Sequence, residues 1–449
     1  MRGHMRGGMM VRMTEIKGRK ILDSRNNPTV ACTMVLSNGK EVTFKVPSGA
    51  STGEKEILEK RDNSKRWRGK DVSEAVEDIN KLARKFEGRE VEVYTQDTFD
   101  YILEESNRSE HHGKIGGNTI LALSGAFARA RAASLGIPLW KMLAGERDVY
   151  TIPVPQLNVL NAGKHADTGF EVQETMIVPV GAGSFVEAME MATDVWYALK
   201  ERLKRRGLPT GRGDEGGFVN PFKAIAETAE NVLEAIHSAG YKAGKDVWLA
   251  FDGAFSEIFG KDLREKQRDP NDKTYHLGGK RLIPDEVVEF WTTVVNSYPV
   301  ISLEDGMSES DREGWIALTK ALGDRVQLVL DDYICTNPKE ISRAIEDGIG
   351  NSSLIKPNQV GTITKTLKAI EITANAGRTN VVSHRSGETE DDFIAHLSLH
   401  PSVHQIKSGS SGSERNSKYN TIMMIEQDLG RNAQYLGYNA FLKTKSTAE

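Results

Sequence analysis

The chain has 449 residues, 38% hydrophobic and 27% charged, with a net charge of -4 and two cysteines. That length supports at least one large core and, as a first expectation, two domains of ordinary composition. The mild negative charge gives no reason to expect nucleic acid or an anionic membrane as partner, and Cys32 and Cys335, far apart and without metal-ligand spacing, argue against a disulfide framework and for a reducing compartment.

The opening "MRGHMRGGMMVRM" has no continuous apolar segment and no small-residue cleavage site, so residues 1–13 are expected to be a disordered or vector-derived N-terminus. No stretch reaches membrane-spanning length, and a cytoplasmic location is expected. "TVACTMVL" (Thr29 to Leu36), the turn pair Asn38-Gly39 and the alternation of Val42, Phe44 and Val46 predict a β-hairpin. It runs into "PSGASTG" (Pro47 to Gly53), a small-residue loop that allows close approach of a ligand. "KRWRGK" (Lys65 to Lys70) reads as a solvated basic loop. The alanine-rich stretch from Asn118 to Ser134 is helical, and "LAGERDVYTIPVP" is a connection. These elements define an N-terminal α+β domain over residues 14–146, ahead of a second domain over 147–449.

In the second domain Ser184 and Glu187 form a capping box before a long amphipathic helix that ends at Gly207. Ile225, Ala229, Val232, Leu233 and Ile236 mark another helix, closed by Gly240. Then come apolar runs that each end in an ionisable residue: "VWLAFDGA" at Asp252, "VISLEDG" at Glu304, "VQLVLDDY" at Asp331-Asp332, "SLIKPN" at Lys356, "VVSHRSG" at His384 and "HQIKSG" at Lys407. From Glu304 onward the spacings are 27, 25, 28 and 23 residues, enough for one strand, one loop, one helix and a return loop. Asn337, Pro338, Glu340 and Gly348 punctuate one of the intervening helices. The alternation predicts a parallel sheet; an open doubly wound sheet is one solution, and so many successive repeats suit a closed β/α barrel better. In such barrels the chemistry lies at the carboxyl ends of the strands, where all six ionisable residues fall.

Asp252, Glu304 and Asp331 gathered at one end would repel unless a hard cation joined them, and all-oxygen ligation points to Mg²⁺ or Mn²⁺. The plainer alternative is three separate salt bridges. Lys356 and Lys407 approach the same cavity. Bringing a lysine from about 10.4 to neutral pH takes roughly 4 kcal/mol, which neighbouring cations in a dry pocket supply. Lys356 is therefore a candidate general base for removing a proton next to a carboxylate. "GRGDEG" (Gly211 to Gly216) fits a dinucleotide-binding pattern but lacks the apolar strand before it. His396, His400 and His404 repeat every four residues, but Pro401 interrupts the helix that zinc ligation would require.

"ILDSRNNPTV", "VPSGASTGEKE", "GDEGGF", "SLEDG", "DDYICTNP", "IKPNQVGT", "SHRSGETEDDF" and "QIKSG" together resemble the enolase family over nearly the whole chain, in order and spacing. The resemblance implies a small N-terminal α+β domain followed by an eight-stranded enolase-type β/α (TIM-like) barrel whose first turns are not simple βα units. It implies reversible, Mg²⁺-dependent dehydration of 2-phosphoglycerate to phosphoenolpyruvate. Asp252, Glu304 and Asp331 match the ligands of a first Mg²⁺, and Ser51 matches a ligand of a second that binds with substrate. Lys356 matches the base, Glu215 the acid at the C3 hydroxyl, and Glu174 its carboxylate partner, with His384 nearby. Lys407 matches the binder of the substrate carboxylate, Arg385 and Ser386 the phosphate contacts, and His165 and Gln173 further substrate-binding positions. A homodimer or homo-octamer is implied as well. Asn26, Ala162, Lys164 and Gly306 depart from the family pattern, the middle two beside His165. A Schiff-base role for Lys356, a related metal-dependent acid-sugar dehydratase, against which "SHRSGETE" and the paired glutamates favour a phosphorylated substrate, and a catalytically silent binding protein on the same frame are the competing readings.

Overall fold

The computed structural model describes residues 10–49, 53–109, 115–163, 172–260, 269 and 271–441. The first sheet is antiparallel, in the order β1 (Met13–Leu22), β2 (Pro28–Leu36) and β3 (Glu41–Lys45). β2 and β3 form the expected hairpin, with Gly39 at φ +81° in its turn. β1 was not expected: its many charged residues hide the alternation, and its first residue fell in the segment set aside as disordered. That segment is ordered from its tenth residue, with Arg12 bridged to Glu90 and the Val91 N–H donating to the Val11 carbonyl at 2.8 Å. Residues 1–9 lie outside the described residues.

Four helices follow: α1 (Ser73–Ala83), α2 (Gln96–Ser109), α3 (Gly117–Leu135) and α4 (Leu139–Ala144). α3 is buried continuously from Gly117 to Ala128, as its small, uncharged sequence allows. Gly125 lets it lie directly on β3, since a Cβ there would stand 2.3 Å from the Phe44 ring. Asn26 takes φ +56° in the turn between β1 and β2, the left-handed conformation that asparagine tolerates where the family pattern has glycine.

Next come β4 (Tyr150–Ile152), β5 (Val154–Asn161), β6 (Glu174–Val178), α5 (Phe185–Arg205), the short β7 (Phe218–Val219), α6 (Ile225–Ser238) and β8 (Trp248–Asp252). A hairpin of β9 (Tyr275–Leu277) and β10 (Lys280–Leu282) precedes α7 (Pro284–Ser297). Strand and helix then alternate through β11 (Val300–Glu304), α8 (Arg312–Leu322), β12 (Gln327–Leu330), α9 (Pro338–Glu346), β13 (Ser352–Ile355), the single turn α10 (Pro357–Val360), α11 (Ile363–Asn375), β14 (Thr379–Ser383), α12 (Phe393–Leu397), β15 (Gln405–Lys407) and α13 (Ser413–Leu429). β16 (Ala433–Tyr435) pairs with β4 outside the barrel. The caps form as the sequence suggests: Ser184 Oγ accepts from the Glu187 N–H at 3.1 Å, and the Asn337 side chain accepts from the Lys339 N–H at 3.0 Å. The Glu187 carboxylate reaches the Gly183 N–H (2.7 Å) instead of the Ser184 N–H that a reciprocal capping box requires.

Among the described residues eight strands close the barrel in the order β5-β6-β8-β11-β12-β13-β14-β15, with β15 pairing back to β5. β6 runs against both its neighbours, while the pairings from β8 round to β5 are parallel. At the strand starts the interior holds a neutral amide network. Gln156 Nε2 donates to Gln405 Oε1 at 2.8 Å, Gln405 Nε2 to Gln327 Oε1 at 2.7 Å, Gln327 Nε2 to Ser302 Oγ at 3.0 Å, and Thr379 Oγ1 to Gln327 Oε1 at 2.7 Å. These buried polar groups satisfy one another without charge.

Candidate active site

The opposite rim is charged. Asp252 ends β8 and Glu304 ends β11, and the two are register partners in a parallel pair. Because β6 is reversed, its first residue, Glu174, lands on the same rim in register with Asp252. Lys407 ends β15 and sends its ammonium to all three carboxylates: 2.8 Å to Glu304, 2.9 Å to Glu174 and 3.2 Å to Asp252. Burial alone would lower the Lys407 pKa, but Glu174, Glu304 and Asp252 outweigh it and hold the group well above its usual value. Glu304 is pushed well above the carboxylate range, first by burial and then by Asp252, with Lys407 offsetting part of the effect.

Lys356 follows β13, where Pro357 stops the strand and starts the single turn of α10, and the Lys356 N–H is held by Thr336 Oγ1 at 2.9 Å. Its ammonium lies 2.5 Å from Asp331 Oδ2. The sequence expectation that neighbouring cations lower Lys356 is not met by the protein groups. Burial, the largest influence, lowers it and Arg385 adds to this, but Asp331 opposes both and the net shift is upward. Asp331 is in turn held below the usual carboxylate range: burial raises it, while Lys356 and Arg385 lower it by more. Gln359 Nε2 donates to the other Asp331 oxygen at 2.9 Å.

Within the described residues the tight acidic triple is Asp305, Asp331 and Asp332, with one oxygen of each inside 4.8 Å of the others. Asp305 sits at φ +43° and accepts the backbone N–H groups of Asp331 and Asp332, both at 3.0 Å, so it buttresses the end of β12. Asp252, Glu304 and Asp331 are shared between two lysines, with Asp252 and Glu304 on Lys407 and Asp331 on Lys356. The donor set still fits a hard divalent cation. It is all oxygen, it is rich in negative charge, and Glu304 Oε1 is buried with no hydrogen-bond partner among the described residues.

Glu215 lies in the segment between α5 and β7, accepts from Asn158 Nδ2 at 3.0 Å, and stands 3.5 Å from His384 Nε2. His384 follows β14, and burial lowers its pKa to about 3, so it is neutral. Arg385 meets both oxygens of Glu56 at 3.0 and 3.1 Å and Asn358 Oδ1 at 3.0 Å. Ser386 is buried beside it, and Gln173 is buried with its carbonyl accepting from the Ala162 N–H at 2.8 Å. His165, Lys164 and Ser51 lie outside the described residues. Glu174, expected to act on Glu215, is paired with Lys407. Sequence reasoning missed Glu56, Asp305 and Gln359. Glu56 is one of three charges in "GEKE" and nothing local distinguishes it; Asp305 was hidden behind Glu304 in "SLEDG".

Carboxylates and lysines round one rim, a neutral histidine beside a glutamate and a buried arginine suit metal-assisted proton removal and elimination from an anionic substrate. No helix among the described residues is long and apolar enough to cross a membrane. Residues 13–143 match the family model described as "Enolase, N-terminal domain", and residues 149–444 match "Enolase, C-terminal TIM barrel domain".

Proposed function

We propose, from the premise that the chain belongs to the enolase family and carries its lyase-type site, reversible dehydration of 2-phosphoglycerate to phosphoenolpyruvate. The observation that carries this reading is the rim itself: Lys356 on Asp331, Lys407 across Glu174, Asp252 and Glu304, and His384 against Glu215, all at one end of the barrel. Lys407 binds the substrate carboxylate, and Arg385 with Ser386 binds the phosphate. Gln173 and His165 complete the substrate-binding set. Lys356 takes the proton from C2. Glu215 donates a proton to the C3 hydroxyl as the C–O bond breaks, and Glu174 keeps negative charge near it. Asp252, Glu304 and Asp331 would hold a first magnesium ion and Ser51 a second once substrate is present; these would supply positive charge for the carboxylate as it gains negative charge and would compete with Lys356 for Asp331.

The same pairing weakens the Schiff-base reading. That reading involves no cation to compete for Asp331, so Lys356 would stay paired with it and protonated, whereas a nucleophilic amine must be neutral. The deciding experiment follows phosphoenolpyruvate absorbance from 2-phosphoglycerate with and without Mg²⁺, on the wild type and Lys356→Ala. The expected result is turnover that EDTA abolishes and that the variant loses by about 10³-fold or more. Turnover indifferent to EDTA and trapped by borohydride would select the Schiff base instead; none at all would overturn the 2-phosphoglycerate reading and leave a silent binding protein or a dehydratase of another acid substrate.

A further inference from the structure

Arg415 lies in α13, is fully buried, and belongs to none of the motifs that point to the site. Its guanidinium donates to the carbonyls of Asp214 (2.9 Å), Arg385 (2.5 Å) and Ser386 (2.8 Å), joining the segment that carries Glu215 to the one that carries His384. Its Nη1 also stands 2.6 Å from His384 Nδ1. A guanidinium has only N–H donors and stays protonated in proteins, so in this contact Nδ1 is the acceptor. A neutral imidazole that accepts at Nδ1 carries its hydrogen on Nε2. That Nε2 is buried, 3.5 Å from Glu215 Oε2, and has no hydrogen-bond partner among the described residues. The charged groups acting on the ring are Glu215, Arg415 and Lys407. A second ring hydrogen on Nδ1 would point into the arginine.

We propose that Arg415 is a positioning residue that fixes His384 as the neutral Nε2–H tautomer, so that His384 enters the site as a hydrogen-bond donor. The tautomer follows from the Arg415 contact alone. Only the identity of the receiving oxygen, the departing C3 hydroxyl, rests on the reaction proposed above. In that reaction Nε2–H stabilises the hydroxyl oxygen as it takes its proton from Glu215, and the imidazole itself neither gains nor loses a proton. Arg415 touches no reacting atom and acts through His384.

The test uses the full chain with magnesium, ring-¹⁵N-labelled at histidine, and solid-state ¹⁵N spectra without substrate. Subtracting the His384→Gln spectrum picks one ring out of ten histidines. In the wild type, Nε2 is expected to be protonated and Nδ1 bare from about pH 6 to 8. Protonated Nδ1 in the wild type would overturn the proposal outright. Arg415→Met is expected to raise the Nδ1–H fraction at least fivefold, with Arg415→Lys, which keeps a cation donor, in between. If the methionine variant does not fold, the lysine variant carries the comparison, and a ratio unchanged from wild type overturns the role of Arg415. Because no substrate is present, this failure is distinct from a failure of the 2-phosphoglycerate reading.

Discussion

The two ends of the barrel are both buried and both polar, yet they are built on opposite terms. At the strand starts Gln156, Gln327, Gln405, Ser302 and Thr379 are neutral and close their hydrogen bonds among themselves and on the Ala440 carbonyl. At the strand ends Asp252, Glu304, Asp331, Lys356 and Lys407 are ionisable, and the balance is imperfect, with the Glu304 pKa displaced upward and one of its oxygens unpartnered among the described residues. A network that satisfies itself has nothing left for a ligand. The rim keeps unmet charge of the kind the proposed chemistry needs, whereas the floor is closed on itself.

Several measurements can break that contrast. Lys407→Met strands three buried carboxylates and is expected to abolish turnover and lower unfolding stability by about 3–5 kcal/mol in urea titrations at neutral pH. Retained activity there would remove Lys407 from the site. Gln405→Leu should do the reverse. It removes the acceptor of the Gln156 amide and one of the two acceptors of the Gln327 amide, costing about 1–3 kcal/mol, while kcat in the phosphoenolpyruvate assay stays within about twofold. A large loss of kcat with unchanged stability would place function at the floor too.

The two ends should also differ in their response to pH. His384 has a folded-state pKa near 3 against an ordinary value of 6.5, so its stabilising contribution is complete above 6.5 and is lost as pH falls toward 3. Compared with His384→Gln, the wild type should lose up to about 1.4 kcal/mol per pH unit on acidification below that value. Parallel stability curves for the two proteins would show that the ring is not held neutral. The smallest effect comes from a helix cap at the rim: Asn337→Ala removes the cap of α9 and should cost about 1 kcal/mol in the same urea titrations.

The regular half of the barrel was legible because each strand from β11 to β15 is a short apolar run with its charged residue at the end, separated by a helix with readable caps. The opening half was less so. β6 is reversed, so Glu174 stands at the start of its strand, where a rule about carboxyl ends does not look; only the motif resemblance found it. β1 escaped because its alternation is broken by lysines and arginines. Lys356 was placed correctly at the end of β13, but the protein's own groups do not supply the downward shift expected of it. The sequence shows which strand ends are ionisable, not that Asp331 is the nearest neighbour and works against the expected shift. Pairings such as Glu56 with Arg385 span hundreds of residues of chain and leave no local trace.

That last contact has an evolutionary side. Glu56 precedes α1, yet it grips the guanidinium proposed to receive the phosphate, and Arg25 and Arg129 reach barrel acids in the same way, at Asp214 and at Asp391 and Asp392. The barrel and the smaller domain are therefore poor candidates for independent shuffling. A chimera that grafts a relative's first 146 residues onto this barrel should inherit function only if those acidic and basic counterparts travel with it.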